Sequence, residues 1–168
     1  MFHKFNTPLK STAILGMVLV VALSTAWAVE YYSGSKIYRH KDGGYFVIKP
    51  GADRIRARVP QNSLDPYLRE NDRAQVRIRA DVMEELVESD TGPYYQLDFV
   101  FGPSGTYFRE NYPFKLTLKG KYIHTGTDVW LYDENGEALE GTRYEEEDKL
   151  VFDIPHFSSY SYDNYDEY

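Results

Sequence analysis

Apolar and polar residues alternate with a period of two through most of this 168-residue chain, and that period leaves little room for anything but β-structure. Ile55, Ala57 and Val59 alternate with Arg54, Arg56 and Arg58. Val76, Ile78, Ala80 and Val82 alternate with Arg77, Arg79 and Asp81. Leu97, Phe99 and Phe101 form a third set, Phe114, Leu116 and Leu118 a fourth, and Leu150, Phe152 and Ile154 a fifth. Each set places its apolar members on one face, the pattern of antiparallel sheets with one buried and one wet side. Turn-forming clusters separate the sets at Asp42-Gly43-Gly44, Asp133-Glu134-Asn135-Gly136 and Glu145-Glu146-Glu147-Asp148. No segment sustains a helical period. Asp81 to Ser89 comes nearest, and reads as a strand extension or a single turn. Many short strands with regular turns predict an all-β, antiparallel β-sandwich.

The alternation begins only after a different kind of segment. Lys4 and Lys10 give residues 1–28 a positive start without any acid. Ala13 to Leu23 is apolar or Gly throughout, and Ala26-Trp27-Ala28 ends the segment with small residues at the two positions that a signal peptidase reads. This predicts a cleavable signal peptide over 1–28, the apolar run being short of the ~20 residues that a membrane span needs. An uncleaved anchor extended by Ser24 and Thr25 is the alternative. The expected division is therefore a leader at 1–28, a loose lead-in at 29–42, a sandwich at 43–162 and an acidic, Tyr-containing tail at 163–168. The protein is expected to be exported to the periplasm or the exterior, with no stable membrane insertion once the leader is cut.

Lys4 and Lys10 are the leader's only members of the 19 Lys and Arg, and none of the 26 Asp and Glu falls there. The remainder carries 17 basic against 26 acidic residues, a formal charge of −9. Such a balance speaks against nucleic acid as a partner, since phosphate binding rests on Lys and Arg, and against anionic membrane surfaces. The chain has no Cys, so neither disulfides nor thiolate ligands are available, and the fold must stand on packing. Its 16 Tyr and 9 Phe are the compensating resource, because each aromatic can bury about 150–250 Å².

Three blocks in order carry a family likeness: Gly43-Gly44-Tyr45-Phe46, then Val59-Pro60-Gln61-Asn62-Ser63-Leu64, then Phe101-Gly102-Pro103-Ser104-Gly105-Thr106-Tyr107-Phe108 leading through Pro113 into Phe114-Lys115-Leu116-Thr117-Leu118. With the closing Ile154-Pro155-His156-Phe157-Ser158-Ser159-Tyr160, the chain from about Gly43 to Tyr162 resembles the ZU-five domain, and is closer still to its exported bacterial relatives. In the third block Gly102 and Gly105 are free to take positive φ, with Pro103 presetting the turn between them. Where the family usually has Pro-Pro-Gly-Ala-Leu, this chain has Pro60-Gln61-Asn62-Ser63-Leu64, so Asn or Ser must replace a turn glycine. The resemblance implies a sandwich acting as an interaction module or spacer. Fold alone does not carry function.

Two groups of residues are candidates for chemistry. Some relatives cleave themselves at a His-Phe-Ser or similar triplet, which carries over onto His156, Phe157 and Ser158: the Ser158 hydroxyl would attack the Phe157 carbonyl, giving an ester that water hydrolyses, with His156 acting as base or orienting the bond. The same triplet is also what alternation produces in a last strand. The second group is the two arginine rows, Arg54, Arg56 and Arg58 with Arg77 and Arg79. If their strands are neighbours, five guanidinium groups share one face, either as a cross-strand charge ladder that discourages edge-to-edge aggregation or as a binding face for an unknown anionic partner, an acidic protein or a polysaccharide. Asp81, Glu84 and Glu85 are the acids available to balance them. His40, His124 and His156 do not pair at metal-ligand spacing, and the acidic clusters read as solvated turns, so no metal and no cofactor is expected. Tyr160, Tyr162, Tyr165 and Tyr168 could dock on a partner or cover the end of the sandwich. Together these readings point to a non-catalytic exported binding or structural module of the cell envelope, with a self-cleaving domain cut between Phe157 and Ser158 as the alternative.

Overall fold

The computed structural model describes residues 29–90, 92–123 and 129–163. The leader, His124, Tyr165 and Tyr168 lie outside the described residues. Among the described residues eleven strands form two antiparallel sheets: β1 (Glu30–Arg39), β2 (Gly44–Lys49), β3 (Ile55–Val59), β4 (Gln75–Val87), β5 (Tyr94–Gly102), β6 (Phe114–Lys119), β7 (Trp130–Asp133), β8 (Ala138–Glu140), β9 (Thr142–Tyr144), β10 (Lys149–Ile154) and β11 (Ser159–Asp163). One sheet runs β1-β4-β5-β11-β7-β8 and the other β2-β3-β6-β10-β9. The all-β expectation holds, and all five alternating sets named above face inward: Ile55, Ala57, Val59, Phe114, Leu116 and Leu118 are fully buried, and the others are 4 % exposed or less. Asp81 to Val87 is indeed a strand extension, the last part of β4.

At both lateral edges the chain passes from one sheet to the other without a long loop, from β1 into β2 and from β8 into β9. Each crossing brings backbone against packed atoms where only glycine fits. A Cβ on Gly34 would lie 2.5 Å from the Val47 carbonyl oxygen, and one on Gly141 would lie 2.7 Å from a Phe152 ring carbon. Edge strands that turn directly into the facing sheet are partly covered, which protects them from pairing with other chains.

Two elements differ from the sequence reading. The lead-in is a ten-residue strand, β1, paired with β4 over its whole length from Glu30↔Glu84 to Arg39↔Gln75. Its inward positions are Tyr32, Gly34, Lys36 and Tyr38, of which only Tyr38 is fully buried, so the apolar signal of a half-buried strand is missing. A helix, α1 (Asp65–Glu70), follows the Asn62 turn. It buries Tyr67 and Leu68, has Pro66 in its first turn, where a missing N–H costs nothing, and closes with an Asp65–Arg69 ion pair at 2.8 Å. Six residues are too few to show a period, but Asp65-Pro66 was a readable start signal.

The turns behave as their residues dictate. Asn62 takes φ 61°, in the left-handed region that Asn tolerates. Gly105 takes φ 76°; Gly102 stays out of the left-handed region and precedes Pro103 through a cis peptide bond. The segment after it is tied to the end of the chain: the Phe157 amide donates to the Thr106 carbonyl at 2.9 Å, and Tyr107 bridges His156. Among the described residues no helix is long and apolar enough to cross a membrane.

Candidate functional site

The outward face of the five-stranded sheet is a grid set by strand register. One cross-strand row is Tyr45, Arg58, Lys115 and Asp153; the next is Val47, Arg56, Thr117, Val151 and Thr142; the third is Arg54, Lys119, Lys149 and Tyr144. Rows two residues apart stand roughly 7 Å from one another. The middle row carries the short side chains Thr117 and Val151, whereas long cationic chains rise on either side. The result is a trough of about 480 Å³ whose lining includes Arg54, Arg56, Arg58, Lys115, Lys119 and Lys149, with Glu147 as its one carboxylate. Its walls are roughly 13 Å apart, and its floor crosses the strands from β3 to β9 over roughly 14 Å.

The electrostatics of this trough are unlike those of the chain, whose formal charge is −7. Arg58 lies opposite Lys115, and Lys119 opposite Lys149, and like charges directly across a ladder are destabilising. The lysines have partial relief. Lys115 pairs with Asp153 at 2.6 Å, Lys149 pairs with Glu147 at 2.6 Å, and Lys119 donates to the Glu147 carbonyl at 3.1 Å. Hydrogen bonding to Lys149 holds the Glu147 carboxyl below its ordinary range. The arginines have no such relief: among the described residues no carboxylate lies within ion-pair distance of Arg54, Arg56 or Arg58. Arg56 instead sits 4.8 Å from the centre of the Tyr45 ring. Six cations on one concave face can hold an anionic ligand through several charge-assisted contacts at once.

The five arginines of the sequence reading do not share a surface. Arg54, Arg56 and Arg58 lie on β3, paired with β2 and β6. Arg77 and Arg79 lie on β4 in the other sheet, paired with β1 and β5. Arg79 is ion-paired with Asp81 at 2.7 Å, and Arg77 reaches only the Ser35 hydroxyl at 3.5 Å. What joins the Arg54 row is a set of lysines from β6 and β10. Lys115 lies between Phe114 and Leu116, Lys119 ends the same alternating run, and Lys149 follows the Glu145 to Asp148 turn, so no local pattern links them and only register assembles them.

Glu84 also differs from expectation. It was counted among the acids balancing the arginine rows, yet it faces inward and is 2 % exposed. The phase of Val76, Ile78, Ala80 and Val82 puts residue 84 on the inward side, and that signal was in the sequence. Glu84 accepts from Lys49 at 2.6 Å, from the Tyr122 hydroxyl at 2.5 Å and from Lys121. Tyr32 and Tyr95 cover the two ammonium groups, with ring centres 4.5 Å from Lys49 Nζ and 4.0 Å from Lys121 Nζ. This closed network joins the two sheets and has the character of a structural clasp.

His156, Phe157 and Ser158 lie between β10 and β11. Phe157 is 2 % exposed and packs in an aromatic cluster. The Ser158 hydroxyl donates to the Ser159 carbonyl at 3.1 Å, on the downstream side, and Tyr160 donates its hydroxyl to the His156 carbonyl at 2.9 Å. Strand β11, which follows the triplet, is a central strand between β5 and β7. Among the described residues no group of three or more His, Asp or Glu is arranged to hold a metal ion.

Fold and trough together define an all-β sandwich that carries a cationic concave sheet face. No family model, curated protein or solved structure matches the chain.

Proposed function

We propose that this chain is a non-catalytic exported binding module, and that the trough over Arg54, Arg56, Arg58, Lys115, Lys119 and Lys149 is its binding face for an anionic polymer. The single observation that carries this is the set of three arginines left without carboxylate partners in an acidic protein, with Arg58 across from Lys115 and Arg54 beside Lys119. Such a juxtaposition lowers stability, and a bound polyanion would relieve it. The export signal read over residues 1–28 supports a location in the cell envelope or outside it. The likeness to the ZU-five domain belongs to the same proposal and rests on the sequence blocks alone.

The test is binding of dextran sulfate at low ionic strength, followed by titration with salt. Arg56→Glu and Arg58→Glu should each weaken binding about tenfold, or about 1.4 kcal/mol, and affinity should fall steeply as salt rises. Arg77→Glu, on the opposite face, should leave it unchanged. Binding that ignores the trough reversals, or is equally weakened by Arg77→Glu, removes this face from the account.

A cut between Phe157 and Ser158 has a separate readout. The intact mass of the purified protein should be that of one uncut species at the Phe157–Ser158 bond. A fragment beginning at Ser158 would replace the non-catalytic reading with self-processing.

A further inference from the structure

The trough carries more than charge. Tyr45 stands at the β2 end of one wall and Tyr144 at the β9 end of the other, so the two rings occupy diagonally opposite corners. They are 58 % and 44 % exposed. Each is joined to a cation of the trough: Arg56 lies 4.8 Å from the Tyr45 ring centre and Lys149 lies 4.5 Å from that of Tyr144. Past Arg58 the surface continues into a second depression of about 560 Å³ that shares Arg58 with the trough and is lined also by Tyr45, Lys41, Asp42 and Gln61.

Resting on the proposal that the trough binds a polyanion, we infer that the polyanion is a carboxylated polysaccharide, a chain of uronic-acid-type sugars lying across the strands. The repeated pairing of a flat aromatic ring with a cation matches what one such sugar presents: an apolar ring face for stacking, and a carboxylate held rigidly on that ring. Thr117 supplies a hydroxyl on the floor, and Gln61 an amide beyond Tyr45, for sugar hydroxyls. An acidic peptide carries its carboxylates on flexible stems and offers no regular apolar ring faces. A nucleic acid offers bases to stack, but its charge sits on the phosphate backbone and not on the ring that stacks, so it does not match an aromatic ring paired directly with a cation.

The experiment compares polygalacturonate, poly-L-glutamate of matched charge, single-stranded DNA and dextran sulfate on the same protein. Polygalacturonate is expected to bind at least about tenfold tighter than poly-L-glutamate. The double variant Tyr45→Ala/Tyr144→Ala should lose about tenfold for polygalacturonate while leaving poly-L-glutamate unchanged, and Tyr45→Phe/Tyr144→Phe should restore it. Both tyrosines are surface residues, so circular dichroism of the variants serves as the folding control. If poly-L-glutamate or DNA binds as well as polygalacturonate, or the tyrosine variants weaken all polyanions alike, the sugar assignment falls and the polyanion trough stands. If dextran sulfate also fails to bind, both fall.

Discussion

Phe157→Ala is expected to lower the free energy of unfolding by about 3–5 kcal/mol, the cost of truncating a well-packed buried Phe. The ring lies 4.9 Å from Phe114, 5.0 Å from Phe108 and 5.6 Å from Phe101, centre to centre. Phe114 belongs to β6 of one sheet and Phe101 to β5 of the other, while Phe108 comes from the segment between them. The vacated space would thus be walled by rigid rings on three sides and could not easily collapse, which puts the cost toward the upper part of that range. Phe157→Leu keeps much of the volume and should cost less than about 1.5 kcal/mol. Urea unfolding measures both, the midpoint moving with an unchanged slope. A loss below about 1 kcal/mol for the alanine variant would show that the aromatic cluster does not hold the sheets together at this end.

The second large effect belongs to Glu84. Replacing it by Ala leaves the Lys49 and Lys121 ammonium groups and the Tyr122 hydroxyl without their common acceptor, and breaking a buried pair in this way costs about 3–5 kcal/mol. The lower end is expected, because Lys121 keeps 27 % of its side chain exposed and can turn toward water. By contrast, the triple change Lys49→Met/Glu84→Leu/Lys121→Met removes all three charges together and should come within about 1–2 kcal/mol of the parent. If the triple variant is as unstable as Glu84→Ala, the clasp acts through packing and not through its charges.

The pH dependence of the clasp follows from the same contacts. Burial pushes the Glu84 carboxyl up, but hydrogen bonds from Lys121, Lys49 and Tyr122 outweigh it and hold the group below its ordinary 4.5. A carboxylate with a depressed folded pKa contributes stability above its unfolded value and loses it as pH falls through the folded one. For Lys121, burial pulls downward, and the bond to Glu84 outweighs it and raises the group above 10.5. That contribution is complete below 10.5 and fades as pH rises past the folded value. Burial and the Glu84 bond also raise Tyr122, so it stays a neutral donor throughout. Glu84 and Lys121 therefore both keep their charges from about pH 4.5 to 10.5, and the deficit of Glu84→Ala should be constant around neutral pH and shrink in acid.

Much of this molecule was legible without coordinates. The five alternating sets marked five strands and the correct inward face of each, because one register phase puts every apolar residue of a strand on the same side. Asn62, the Asp133 to Gly136 turn and the Glu145 to Asp148 turn were readable from local backbone preferences. The misses share a cause. Strand β1 has Gly34 and Lys36 at inward positions, so its burial comes from neighbours and not from its own composition, and α1 is too short for its period to stand out.

The candidate site divides the same way. That Arg54, Arg56 and Arg58 share one face is a local fact, written in their spacing of two. Which residues stand beside them is a fact about strand pairing over about sixty positions from β3 to β6 and thirty to forty from β6 to β10, and no local pattern encodes it. Those pairings separate Arg77 and Arg79 from the row, bring Lys115, Lys119 and Lys149 to it, and set Tyr45 and Tyr144 at opposite corners. By itself the sequence determined the fold class, the buried face of each alternating strand and the turns, all of which rest on interactions within a few residues. Tertiary structure alone decided the membership of the trough and the inward clasp of Glu84, because long-range register chooses which charges become neighbours.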